Sequence, residues 1–201
     1  MPGNSTMPLL SDRLIRPVLA LKATIVLALG ATLALSPNKD SMNPKLADEP
    51  GFTVIGIEAR TSNAKELTHE GVIGKQWSRF VKDSLVAQIP NKADVAIVAL
   101  YTDYASDKDG EYTFLLGARV TSTAQVPSGM VARRVSPGRY AIFTSDKGPV
   151  PKVVVDTWQK IWSVPKGSPG ADRAYKTDYE VYDQRAANPE NAQVEVHVGI
   201  K

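Results

Sequence analysis

The chain has 201 residues and no cysteine. This absence excludes a disulfide framework, a thiolate nucleophile and a cysteine-based zinc site. The two histidines, His69 and His197, lie 128 positions apart. Because a metal site needs several ligating side chains close together, the sequence predicts neither a metal site nor a bound cofactor.

The chain also lacks a dense basic cluster. Of the net charge of +3, residues 1–41 carry +2, and the remaining 160 residues carry 20 basic and 19 acidic side chains. The pair Arg133-Arg134 fits the solvent side of a strand end. Nucleic-acid binding depends on neutralising many phosphates, so we expect no direct binding of nucleic acid.

One hydrophobic run, Ala23–Leu35, precedes the rest of the chain. Its 13 residues span about 20 Å as a helix, which is shorter than a hydrocarbon core of about 30 Å. Arg13, Arg16 and Lys22 precede it, and small residues stand at its end, at Ala34 and Ser36. This arrangement is typical of a secretory signal peptide and predicts a periplasmic or membrane-anchored protein.

A second interpretation places the true start of translation at Met42, which would make the protein cytoplasmic. Residues 1–41 are thus cleaved or retained as an anchor under the first interpretation, and not translated under the second. In each case residues 1–45 form a signal-like or disordered segment, and residues 46–201 form one domain with enough chain for a hydrophobic core.

The domain contains the same order of elements twice. Residues 52–59 read as a strand, residues 71–90 as a helix ended by Pro90, and residues 94–104 and 111–122 as a hairpin around Asp109-Gly110. Residues 129–145, 148–165, 176–183 and 191–201 repeat this strand, helix, strand, strand order. Trp77 and Trp158 occupy comparable helix positions.

This repetition predicts an α+β fold of two β-α-β-β units with pseudo-twofold symmetry, in which two helices pack on an antiparallel sheet. Each unit would leave one sheet face uncovered, so the halves must pack together. A cleft at such a junction is a common ligand site.

The stretch "TDYEVYD", residues 177–183, places a glutamate in a predicted strand between two tyrosines. Because side chains alternate along a strand, Asp178, Glu180 and Tyr182 share one face, and Tyr179 and Val181 share the other. Glu180 is either a solvated surface charge or the acidic floor of an aromatic pocket. A buried carboxylate would have a raised pKa, and it would attract a cation together with nearby rings.

The domain resembles the GyrI-like, or AraC-type, bacterial effector-binding domains, and in particular their stand-alone members encoded by integron gene cassettes. The resemblance covers roughly residues 50–201. It rests on several stretches taken together and in this order: "FTVIGIEARTSN", "IGKQWSRF", "YTDYASDKDGEYTFLLG", "VSPGRYAIF", "TDYEVYD" and "NAQVEVHVGI". Residues 1–45 contain a hydrophobic run in place of the helix-turn-helix that the resemblance implies for the regulators of this class.

The resemblance implies a ligand-binding module that takes amphipathic, cationic or lipophilic compounds, as multidrug-binding proteins do. The family's buried glutamate in the penultimate strand corresponds to Glu180. The aromatic residues that we expect to line the pocket with it are Tyr182, Trp77, Tyr101, Tyr112, Phe114, Trp158 and Trp162. For the three tryptophans, core packing is an equally simple explanation.

Two other functions stay open at this point. Some GyrI-like proteins are hydrolases of small electrophiles, and Glu180 with Tyr182 or Tyr112 would suit acid–base roles. A protein-interaction module of the gyrase-inhibitor kind is the third possibility, with an unknown protein partner. Neither histidine has a nucleophile nearby in sequence, and no catalytic residue is assigned. His69 is expected to be exposed, and His197 to lie on the less buried face of the last strand.

Overall fold

The structure is a computed structural model, and it describes residues 43–201. The hydrophobic run at residues 23–35 and the alternative start at Met42 lie outside this range. The first half of the described chain contains β1 (Lys45–Glu49), β2 (Phe52–Ser62), α1 (Asn63–Glu66), α2 (Ile73–Lys82), α3 (Leu85–Gln88), β3 (Ile97–Thr102) and β4 (Glu111–Val120). The second half contains β5 (Val131–Val135), β6 (Gly138–Thr144), α4 (Val150–Trp162), β7 (Arg173–Tyr182), a 3-10 turn (Gln184–Ala186) and β8 (Glu195–Ile200).

The eight strands form one antiparallel sheet in the order β1-β6-β8-β7-β3-β4-β2-β5. Each strand of the first half has a counterpart four strands later: β5 for β1, β6 for β2, β7 for β3 and β8 for β4. Exchanging the counterparts gives the same order read from the other edge of the sheet, and β7 and β3 meet at its centre. The predicted α+β fold with duplicated units is therefore confirmed. The predicted symmetry also extends to the edge strands, because β1 pairs with β6 of the other half and β5 pairs with β2.

Two details differ from the sequence prediction. The helix predicted over residues 71–90 is divided into α2 and α3, because Ser84 adopts a left-handed backbone with φ of 49° that a continuous helix cannot contain. Strand β1 was not predicted. Its burial alternates only weakly, and it is held by pairing with β6, about 90 residues away in the chain.

The sheet is strongly curved. The rings of Phe52 on β2 and Tyr179 on β7 lie 5.1 Å apart, although three strand spacings in a flat sheet would separate these strands by about 14 Å. Gly56 and Gly117 face each other in the β2–β4 pairing, and a Cβ at either position would lie 2.1 Å from a carbonyl oxygen of the opposite strand. Such close backbone approach at strand glycines is typical of a sharp bend.

The two faces of the sheet carry separate cores. On one face, α2 and α4 cover the helix-side core, which includes Phe80, Phe114, Leu116, Trp158 and Ile161. The curved opposite face encloses the concave-side core, which includes Val54, Val98, Leu100, Tyr140 and Tyr179. Among residues 43–201, no helix has the length and apolar character that crossing a bilayer requires.

Candidate functional site

Glu180 lies on β7, one of the two central strands, and its side chain points into the helix-side core. It is only 1% exposed. The predicted alternation holds, because Tyr182 belongs to the same core while Tyr179 and Val181 belong to the concave-side core. Glu180 is therefore an enclosed carboxylate and not a solvated surface charge.

Three neutral groups donate hydrogen bonds to this carboxylate. The Tyr101 hydroxyl and the Trp158 indole N–H donate to Oε1 at 2.8 Å and 2.6 Å. The Tyr182 hydroxyl donates to Oε2 at 2.6 Å. Trp158 comes from α4 and Tyr101 from β3, so the site joins the two halves of the chain.

The Glu180 carboxylate has a raised pKa and no positively charged partner among residues 43–201. Burial raises the pKa of Glu180, and the hydrogen bonds from Trp158, Tyr182 and Tyr101 act in the opposite direction without cancelling it. Burial and the Glu180 charge raise the pKa of Tyr101 and Tyr182 well above the usual range, so both hydroxyls remain donors. Within residues 43–201, no lysine or arginine forms an ion pair with Glu180.

The pseudo-twofold symmetry explains how the donors are arranged. Trp158 follows Trp77 by 81 residues, and the same spacing relates Tyr182 to Tyr101 and Glu180 to Ala99. Ala99 pairs directly with Glu180 across the β3–β7 ladder. The axis therefore passes beside the carboxylate. The two symmetry-related tyrosines, Tyr101 and Tyr182, each donate a hydrogen bond to one of its oxygens.

The other predicted aromatic residues surround this centre at different depths. Phe114 and Tyr112 contact the Tyr101 ring at 5.3 Å and 5.6 Å, but the Tyr112 hydroxyl donates to Asn63 at 3.0 Å. Trp77 is half-buried against Tyr182, at 4.8 Å between ring centroids.

Trp162 is the outermost of the predicted residues. It is 43% exposed and lies 6.2 Å from Trp158. The eight predicted residues thus form one connected group, in which Tyr101, Trp158 and Tyr182 donate hydrogen bonds to the carboxylate.

A second buried carboxylate was missed by the sequence analysis. Asp178 is fully buried on the same face of β7, and it accepts hydrogen bonds from Arg173 at 2.5 Å, from the Tyr104 hydroxyl at 2.6 Å and from the Gly199 N–H at 2.9 Å. The alternation in "TDYEVYD" places Asp178 beside Glu180. Its arginine partner, however, depends on a bulge in β7 between residues 173 and 178 that spacing alone does not reveal.

His197 lies on the face of β8 opposite Val196 and Val198, as predicted, but this face is buried as well. His197 is 5% exposed in the concave side of the sheet and stacks on Tyr179 at 4.4 Å. Neither ring nitrogen has a hydrogen-bond partner. The sequence predicted this face to be the less buried one, and the curvature of the sheet encloses it more fully than the alternation indicates. His69 is exposed, as predicted.

The chain matches a known protein family over almost all of the residues that the structure describes. Residues 45–200 match the Cass2 family, described as integron-associated effector binding protein, and the chain belongs to this family. The Bacillus subtilis (strain 168) protein YobU is 36% identical over 147 residues, which cover 73% of this chain and 90% of YobU.

Solved structures agree with this assignment. An integron cassette protein from Vibrio cholerae has a TM-score of 0.62 and 30% identity, over 79% of this chain and 96% of its own. SAV2435, solved with bound tetraphenylphosphonium, has a TM-score of 0.65 over 80% of this chain and 94% of its own. At 17% identity, SAV2435 shows that the fold is shared. The resemblance to stand-alone cassette proteins of the GyrI-like class is thereby confirmed.

Proposed function

We propose that this effector-binding domain takes small amphipathic organic cations, with Glu180 as the counter-ion and the surrounding aromatic rings as the walls of the site. The observation that carries the proposal is the enclosed carboxylate with three neutral donors and no cationic partner among the described residues. A buried charge without a counter-ion is unfavourable. A ligand that brings a positive charge relieves this cost.

The rings provide the second contribution. Tyr101, Trp158 and Tyr182 contact the carboxylate, and Phe114 and Trp77 extend the apolar surface around them. A cation over an aromatic face gains about 0.5–2 kcal/mol, with the larger values in desolvated sites. Tetraphenylphosphonium, the ligand of SAV2435, combines a delocalised positive charge with four apolar rings and is a suitable probe.

Entry to the site requires movement. Because Glu180 is almost fully enclosed, a ligand reaches it only when neighbouring side chains give way. The half-buried Trp77 and the exposed Trp162 are the members of the group nearest to solvent. We expect rearrangement to begin at these two residues.

The test is a titration of the full chain with tetraphenylphosphonium, followed by tryptophan fluorescence, in the native protein and in Glu180→Gln. We expect the substitution to weaken binding more than tenfold, which corresponds to about 1.4 kcal/mol or more. Glu190→Gln removes the same charge from an exposed loop, and its affinity should equal that of the native protein.

A neutral probe separates charge from shape. Triphenylphosphine oxide has similar rings and no net charge, so its affinity should change less than threefold in Glu180→Gln. Equal loss of both probes would indicate that the substitution damages the shape of the site. Unchanged affinity for tetraphenylphosphonium would remove the electrostatic part of the proposal.

A further inference from the structure

The second buried carboxylate, Asp178, already has a cation. The Arg173 guanidinium is 7% exposed and forms an ion pair with Asp178, whose side chain is fully buried. Its central carbon lies 4.5 Å from the Tyr175 ring and 5.5 Å from the Trp158 ring. A positive charge held by a carboxylate between aromatic rings has the same surroundings that an aromatic cage offers to a cationic ligand.

This arrangement is continuous with the Glu180 site. Trp158 donates its indole N–H to Glu180 and presents its ring to Arg173. On the other side, Tyr112 contacts both Tyr101, which donates to Glu180, and Tyr104, which donates to Asp178. Glu180 and Asp178 lie two residues apart on one face of β7, about 7 Å along the strand.

The Glu180 and Asp178 sites together hold more buried negative than positive charge. It contains two buried carboxylates and one buried guanidinium, and Asp178 draws the pKa of Arg173 upward against the opposing effect of burial. The fixed cation satisfies Asp178, and Glu180 alone is left without a counter-ion.

We propose that Arg173 is a built-in cation that fills a second cation subsite and thereby restricts the pocket to ligands with a single positive charge. This inference rests on the proposed function, because it concerns the charge selectivity of the Glu180 site. Arg173 acts here as a specificity-determining residue. A second positive charge on the ligand, placed near Asp178, would be repelled by the Arg173 guanidinium and would find the Asp178 carboxylate already paired.

The test compares two probes that share one aromatic head. Pentyltriphenylphosphonium has one charge, and (5-trimethylammoniopentyl)triphenylphosphonium has a second, small cation at the end of the same chain. We expect the native protein to bind the dication at least tenfold more weakly than the monocation. In Arg173→Met, which keeps much of the apolar length of the side chain, Asp178 becomes available and the dication should bind at least as tightly as the monocation.

Two further variants control for charge and for folding. Arg173→Lys keeps the positive charge, so it should keep the preference for the monocation. If Arg173→Met does not fold, as judged by its thermal transition, Asp178→Asn gives an independent reading. It leaves the guanidinium without its partner and should increase discrimination against the dication by a further threefold or more.

The outcomes distinguish the two proposals. Suppose that the native protein binds the monocation through Glu180, but that the ratio of monocation to dication affinity is the same in Arg173→Met or Asp178→Asn as in the native protein. This result overturns the role of Arg173 and leaves the proposed function standing. Native protein that binds neither probe, or binds the monocation independently of Glu180, overturns both.

Discussion

Ala99 lies directly opposite Glu180 in the pairing of the two central strands. The two positions are also related by the pseudo-twofold axis, so the duplicated fold has a methyl group in one half where the other half has a carboxylate. Side chains in such cross-strand pairs have Cβ atoms about 4.5–5.5 Å apart. A methyl group therefore lies beside the carboxylate. Three predictions concern this site, and a fourth concerns His197 on the opposite face of the sheet.

Enlarging Ala99 should close the site. We expect Ala99→Leu to lower the free energy of unfolding by about 1–3 kcal/mol through overpacking and to weaken tetraphenylphosphonium binding at least tenfold. Ala118→Leu is the matched control, because Ala118 is equally buried in the helix-side core. It should lose similar stability in urea denaturation and keep its affinity. Equal affinities of the two variants would contradict the role of Ala99.

Neutralising Glu180 should change how stability depends on pH. Since burial raises its pKa above that of the unfolded chain, the folded state binds a proton more tightly, and native stability falls as pH rises from the unfolded pKa through the folded pKa. Glu180→Gln lacks this loss, which amounts to about 1.4 kcal/mol for each unit of pKa difference. Urea denaturation from pH 4 to 8 should show Glu180→Gln gaining stability relative to the native protein as pH rises. A constant difference would contradict a raised pKa.

Removing a tyrosine hydroxyl should destabilise the ionised carboxylate. Hydrogen bonds to charged groups contribute about 1.5–3 kcal/mol, so Tyr101→Phe and Tyr182→Phe should each lower stability by about this amount where Glu180 is ionised, and by less at pH 4. Tyr112→Phe is the control, because its hydroxyl bonds to Asn63 and not to Glu180. Thermal unfolding at pH 4 and pH 8 separates the variants. A loss of the same size at both pH values would show that packing, and not the charge, is responsible.

His197 should make the protein sensitive to acid. Burial lowers its pKa from 6.5 to about 4, although Glu195 lies 3.4 Å and Glu49 3.8 Å from its ring nitrogens. The unfolded state therefore binds the proton more tightly. The stability from this residue is fully present above pH 6.5 and is lost as pH falls through about 4, by roughly 3 kcal/mol.

The measurement for this prediction is urea denaturation of the native protein and His197→Phe between pH 4 and 7. The phenylalanine keeps a ring against Tyr179 and does not titrate, so its stability should fall less steeply over this interval. Arg119, Tyr140 and Tyr179 also lie near the imidazole, and they are present in both proteins. Parallel pH profiles would contradict a depressed pKa of His197.

Much of the fold could be predicted because the duplicated halves repeat strong local patterns. The predicted strands at residues 94–104 and 111–122 contain β3 and β4, and the predicted helix at residues 148–165 contains α4. Alternation also placed Glu180 and Tyr182 on one face. The features that were missed depend on distant parts of the chain: the exchange of β1, the curvature that encloses His197, and the bulge that brings Arg173 to Asp178.

The exchange of edge strands also means that neither half of the domain is self-sufficient. A fragment ending after β4 would retain β1 without β6 to pair with, and its β2 would present an open edge. Two copies of that fragment could supply each other's missing strand and form a symmetric dimer. Such a dimer would have Ala99 on both sides of its axis, so it would reproduce the scaffold without any carboxylate at its centre.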